Sequence, residues 1–371
     1  MFGLTTEAYR LAAELVDKAT VAIVDETLQM ALELDSKFLA RNPDLNELMS
    51  SEPLMSFKPI ENVLANSSVV FFTPKLRRPS EESLIEASTK LRELSRYLTS
   101  GTTLVNTLPT GPGGNAENIM IVEKQTGYRV GDSLSYAYIP LRAGAAEAKV
   151  VSFPATGKDE HPLELLGFRA NVQNIFGAEL SYVSSVLGSA MKMATEIELE
   201  KKARDAKIIS PPSEKEDYFD DFALDIHELK AIQSSEEAGE SITYLAGAAL
   251  KSFESYVRYV VDETREMLKE MELKASRTKV IILWSLDKYE MRGDRLQMAE
   301  NISQRLRDYV TDVEIVRGPR LASGSEVFDS QKHNLVIVCS KGDYDALKLS
   351  KKSRRSVELS ILHATPGLRR E

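Results

Sequence analysis

The sequence predicts an α/β protein in three parts: an N-terminal domain on a mostly parallel sheet (1–163), a helical middle with a long central helix (164–275), and a smaller C-terminal α/β domain (276–371). Three observations predict it. Short β-branched or aromatic runs alternate with helical periodicity over the first 155 residues, as they do where strands are joined by helical crossovers. Long helical stretches follow, and a second alternation of strands and helices begins at residue 278.

Taken in order, TVAIVDE (20–26), SSVVFFT (67–73), TTLVNTL (102–108) and SLSYAYI (133–139) read as strands bounded by turn residues. EESLIEASTKLRELSRYL (81–98) reads as a helix between two of them. A helical stretch over 164–206 is broken by IISPPSEKEDYFDD (208–221), whose prolines and acids predict a loop. Residues 240–274 form the strongest helix, with Ile242, Leu245, Ala249, Phe253, Tyr256, Val260, Met267 and Met271 on helical steps. Lys251, Glu254, Arg258 and Glu263 fall at the positions between. At ~1.5 Å per residue such a helix is long enough to brace two domains or a subunit interface. TKVIILW (278–284), DVEIV (312–316) and HNLVIVCS (333–340) are the strands of the last unit, with a helix over 295–309.

Composition narrows the function. The 371 residues are 43% hydrophobic, enough for a sizeable core. The net charge of -9 repels phosphate backbones and anionic lipid, so KKSRR (351–355) reads as a solvated face and no nucleic acid is expected. No apolar run approaches the ~20 residues of a membrane helix, and the start lacks a signal-peptide pattern. A cytoplasmic protein off the membrane is expected. The single cysteine excludes an internal disulfide, and His161, His227, His333 and His363 lack metal-ligand spacing.

FGLTTEAYRLA, at 2–12, has the form of a dinucleotide-binding turn. Such a turn uses glycines for a tight bend, for approach of the backbone to pyrophosphate, and for packing of helix on sheet. The matching positions are Gly3, Thr5 and Ala8, so one glycine remains. Asp25 ends the next strand 22 residues after Gly3, where a ribose-binding acid belongs, although a plain strand-ending aspartate fits equally. Only Met1 and Phe2 precede Gly3. Either the start is misassigned or the sheet lacks a full central strand.

In their order and spacing the segments resemble the nucleotide-sugar 6-dehydrogenases, the UDP-glucose and GDP-mannose dehydrogenase family, over almost the whole chain. The opening turn, VVFFTP (69–74), LVNTLPTGPGG (104–114), SYAYIPLRAG (135–144), GAELSYVSSVL (177–187), VIILWSLDKYEMRGDR (280–295) and LVIVCSKGDYDAL (335–347) carry the likeness. It implies a Rossmann-like NAD-binding domain first and a UDP-sugar-binding-like domain last. It also implies oxidation of a sugar C6 alcohol to a carboxylate in two hydride transfers to NAD, through a thioester on a loop cysteine. By the same likeness Gly3, Asp25, Thr73 and Thr107 are cofactor-binding positions, and Arg142, Lys288 and Arg295 are substrate-binding positions.

The chemistry departs from the family. The glutamate position falls on Leu141, the lysine on Tyr182 and the asparagine on Val186, while YFDDFALDIHELKAIQ (218–233) stands in place of the cysteine loop. Asp225 echoes that loop's aspartate, and Cys339 reads as a small core residue in a strand. No catalytic residue of the family's kind is therefore expected. One expectation is a silent relative that binds nucleotide sugar or assembles with itself or an active paralogue. Another is an oxidoreductase with altered residues, using Tyr182 or an acid of 214–221. A third is a structural module with vestigial pockets.

Overall fold

The computed structural model describes residues 1–50, 57–78, 82–141, 174–208, 217–223, 225–316, 327–351 and 358–371. Arg142, His161, the 209–216 part of the expected loop and basic residues 352–355 lie outside the described residues. The chain divides into one unit of Met1–Val186, His227–Thr243 and Asp287–Gly293, and a second of Leu187–Ile226, Tyr244–Leu286 and Asp294–Glu371.

In the first unit, β1 (Val21–Asp25), β2 (Met30–Leu34) and β3 (Phe57–Pro59) pair antiparallel. β4 (Val69–Phe72), β5 (Thr103–Asn106) and β6 (Ser135–Tyr138) pair parallel. Phe2 bridges Val24 on one side and Phe72 on the other, both in parallel sense. The expected central strand is thus a stub, with Phe2 N–H on Phe71 O at 2.8 Å and Val24 N–H on Met1 O at 2.9 Å. Both faces of this sheet are covered, as a parallel sheet requires. Val70, Phe72, Leu104 and Tyr136 pack on one cluster with Phe2 and Leu94, and Phe71, Val105 and Ala137 on another with Tyr9 and Leu11.

The hairpin β1–β2 is an addition to the expected parallel strands. Asp25 Oδ1 accepts the Thr27 and Leu28 N–H groups at 2.8 and 3.2 Å, and Gln29 takes φ 54°. A side chain thus supplies the turn that glycine or asparagine ordinarily marks. α1 (Thr6–Leu15) begins three residues after Gly3.

In the second unit, β7 (Thr278–Leu283), β8 (Asp312–Val316), β9 (His333–Val338), β10 (Leu359–His363) and β11 (Arg369–Arg370) lie in the order β11-β10-β9-β7-β8. All pairs are parallel except β10 with β11. β7 is buried along its whole length, the pattern of a central parallel strand. Phe219, Phe222, Phe253, Tyr256 and Trp284 form a buried aromatic cluster in this unit.

The helices Ile175–Asp205 and Glu240–Glu270 have 31 residues each. The second buries Phe253, Tyr256, Val260 and Met267, while Leu245 and Met271 are exposed. Glu263 is no solvated in-between position: it is buried and ion-paired with Arg204 and Arg370 of the same unit.

Candidate functional site

The residues at the start of α1 decide what the dinucleotide-type turn can hold. Gly3 has φ 125°, and a Cβ there would stand 1.9 Å from Thr73 O. The glycine is therefore required by the approach of the stub to the end of β4. Thr5 is the N-cap of α1, its Oγ1 accepting the Ala8 N–H at 3.2 Å, and it is fully buried. The next amide, Thr6 N–H, donates to Tyr289 O at 2.8 Å. Thr6 Oγ1 donates to Asp287 Oδ2 at 2.5 Å, and Glu7 Oε2 accepts the Met291 N–H at 2.8 Å.

The segment Asp287–Gly293 thus lies across the first turn of α1. The loop after β4 holds its other side: Arg77 Nη2 donates to Lys288 O and Glu290 O at 2.8 and 2.7 Å, and Leu76 N–H to Met291 O at 2.7 Å. Burial lowers the Arg77 guanidinium from its ordinary value, against the pull of Glu7, Glu86, Asp287 and Glu26.

The glycine loop after β5 is closed in the same way. Glu179 Oε2 accepts the Gly113 N–H at 2.8 Å, and its Oε1 accepts both the backbone N–H and Nδ2 of Asn115 at 2.8 Å. The carboxylate is buried at the start of the helix Gly114–Thr126, where a ligand anion would otherwise be favoured. Gly111 abuts the Ala231 carbonyl and Gly113 the Glu237 side chain, and Ser235 Oγ donates to Pro112 O at 2.5 Å. Burial raises the nearby Tyr138 phenol, which accepts the Thr110 N–H at 3.2 Å, and Glu179 and Glu228 push the same way.

A third arrangement occupies the positions where the likeness implies catalytic groups. Tyr182 Oη donates to Glu228 Oε1 at 3.2 Å, and the same oxygen is ion-paired with Arg292. Glu228 and Arg292 are 2% and 6% exposed. Burial alone would lower the Arg292 guanidinium, but Glu228, Tyr182 and Glu7 raise it on balance. Among the described residues Glu7 Oε1, Glu228 Oε2 and Arg292 Nη2 have no hydrogen bond. Leu141 packs with Leu76, Leu108 and Met291, and Val186 is buried.

Of the expected cofactor positions, the structure brings Gly3 and Thr73 together: Thr73 Oγ1 donates to Phe2 O at 3.1 Å. Thr107 Oγ1 donates to Phe72 O at 2.6 Å, and both threonines are fully buried. Asp25 closes the β1–β2 turn with one oxygen. Lys288 is exposed, with Nζ 4.7 Å from the Tyr289 ring centroid. Arg295, in the second unit, is ion-paired with Asp220, which also accepts Trp284 Nε1 at 2.6 Å. Cys339 follows β9 and is fully buried; burial, then the Asp343 and Asp220 carboxylates, hold its thiol well above the ordinary range. A thiol so placed is neither ionised nor accessible.

These residues do not fit a pyrophosphate at α1. The Thr6 and Ala8 amides of the first turn are already bonded, Thr5 carries a side chain where backbone should approach, and the carboxylates of Glu7 and Asp287 add negative charge beside that turn. Glu179 and Glu228 were not singled out from sequence, although Glu179, Val183 and Val186 follow a helical step that puts the acid on the buried face. Among the described residues no group of three or more His, Cys, Asp and Glu could hold a metal ion, and no helix is long and apolar enough to cross a membrane.

A strand–turn–helix opening on a parallel sheet, long helices, and a second parallel sheet define the fold of the nucleotide-sugar dehydrogenases. The UDP-D-ManNAc dehydrogenase of Pyrococcus horikoshii is similar over 92% of this chain and 94% of its own, at 14% identity and TM-score 0.55. The UDP-glucose dehydrogenase of Pyrobaculum islandicum is similar over 93% and 90%, at 15% identity and TM-score 0.54. The UDP-N-acetyl-mannosamine dehydrogenase of Staphylococcus aureus is similar over 91% and 87%, at 13% identity and TM-score 0.50. At these identities the likeness is one of fold. No protein-family model and no curated protein matches the sequence.

Proposed function

We propose that this chain is a catalytically silent relative of the nucleotide-sugar dehydrogenases, a cytoplasmic pseudoenzyme acting as a nucleotide-sugar-binding or assembly protein in glycan-precursor metabolism. It works as a homodimer or beside an active paralogue. One observation carries the reading: the helix start that would receive a dinucleotide is closed by Asp287, Tyr289 and Met291 of the same chain. NAD is then not a cofactor here, and the positions of Gly3, Thr73 and Thr107 persist because they hold the sheet together. Lys288, Arg295 and Arg142 are, by the family likeness alone, the candidate basic contacts for a UDP- or GDP-sugar.

Purified protein incubated with NAD and UDP- or GDP-sugars should give no rise at 340 nm and no NAD binding at millimolar concentration, while a nucleotide sugar should raise the melting temperature. NAD reduction that disappears in Tyr182→Phe would sink the reading. The half-buried Tyr182 on the buried Glu228 and Arg292 pair favours the alternative, an oxidoreductase with altered catalytic residues, and the same substitution decides between them.

A further inference from the structure

Two ammonium groups share one ring in the first unit. Lys75 Nζ stands 4.9 Å and Lys288 Nζ 4.7 Å from the centre of the Tyr289 ring, so the two nitrogens are no further apart than the sum of those distances. Tyr289 is buried, Lys75 half-buried and Lys288 exposed. Among the described residues neither lysine is ion-paired. An aromatic ring attracts a cation, but a second cation brought to the same ring meets the repulsion of the first.

The acids nearby are engaged elsewhere. Asp25 Oδ1 closes the β1–β2 turn. Glu26 is ion-paired with Lys90, and its Oε1 accepts the backbone N–H of Lys75 at 3.2 Å. Arg77 adds a third cation two residues along, its Nη2 bonded to the Lys288 and Glu290 carbonyls. Like charges with no carboxylate ion-paired to them favour the neutral amine at the less solvated lysine, which is Lys75. Burial first, then Arg77 and Lys288, lowers the Lys75 ammonium from its ordinary value, against the pull of Asp25 and Glu26. A neutral lysine amine is a nucleophile, and the ammonium of Lys288 beside it attracts an anionic group. We propose that Lys75 is an acylation site, whose donor is a small acyl phosphate held through its phosphate by Lys288. Nζ attacks the acyl carbon, and the C–N bond forms as the C–O bond to phosphate breaks. The phosphate leaves with that electron pair, and the amine proton passes to it. The amide carries no charge, so the product is relieved of the repulsion at Tyr289.

The test treats the full chain with acetyl phosphate over a range of pH and follows each lysine by mass spectrometry. Near neutral pH, Lys75 should be acetylated about tenfold or more faster than the exposed Lys124, and its rate should level off at lower pH. Inorganic phosphate should slow the reaction at Lys75 and leave Lys124 unchanged. Lys288→Ala, at an exposed position, should bring the Lys75 rate down towards that of Lys124. Lys75 reacting no faster than Lys124, or equally fast with and without Lys288, would overturn the proposal.

Discussion

Met291 N–H donates to Glu7 Oε2 at 2.8 Å across a sequence separation of 284 residues. The bond ties the first turn of α1 to the segment Asp287–Gly293 inside one unit. Glu7→Ala should remove the acceptor of a buried amide, at a cost of ~1–3 kcal/mol. Urea denaturation should show this as a lower midpoint with an unchanged slope.

The Glu228–Arg292 pair makes a sharper prediction. Both groups are buried, so Arg292→Leu leaves a carboxylate uncompensated and should cost ~3–5 kcal/mol. Glu228→Leu combined with Arg292→Leu should recover most of that loss, because the cost of the single change is mainly the stranded charge. A double variant no more stable than Arg292→Leu would show that the pair is not what couples these positions.

Cys339 gives the pH dependence. Burial raises its thiol above the ordinary value of 9.0, so the folded state favours the protonated form. The contribution to stability is whole below pH 9.0 and is lost as pH rises from there towards the folded-state value. The slope approaches ~1.4 kcal/mol per pH unit for this one group. Cys339→Ser should flatten the alkaline limb of stability against pH. In the native wild type, iodoacetamide should label the thiol only at the rate of unfolding.

Much of this fold was legible. VVFFT, TTLVNTL, SLSYAYI and TKVIILW are apolar runs bounded by turn residues, and each contains a strand. β2 was not legible because its turn rests on the Asp25 side chain and on Gln29 at positive φ, with no glycine or proline to mark it. Glu263 broke the apolar helix pattern because Arg204 and Arg370 compensate it from distant positions. The identities of Leu141, Tyr182 and Val186, two of them unable to carry a proton, could be read directly. That Asp287–Gly293 covers α1 could not, since no local pattern reports a contact 284 residues away.

Gly3→Ala should be the most damaging small substitution in the chain. The added Cβ would stand 1.9 Å from Thr73 O on a backbone at φ 125°, and both the clash and the strain act on the junction between the stub and β4. The strain alone is worth ~1–3 kcal/mol, and the carbonyl cannot retreat while Thr73 N–H is bonded to Phe2 O at 3.0 Å. Far-UV circular dichroism during heating should show earlier melting than for Glu7→Ala.

Glu179 tests the idea that the chain's own carboxylates stand in for ligand anions. Glu179→Ala leaves the Gly113 and Asn115 N–H groups facing an emptied space at a helix start, at a cost of ~1.5–3 kcal/mol for each charged hydrogen bond. That arrangement of amides is an anion site by its own geometry. Formate or phosphate should therefore restore part of the lost melting temperature in Glu179→Ala while leaving wild type unmoved, because in wild type the carboxylate already fills the position. If both proteins respond alike, the anion acts elsewhere, and Glu179 is then a packing residue whose charge is incidental.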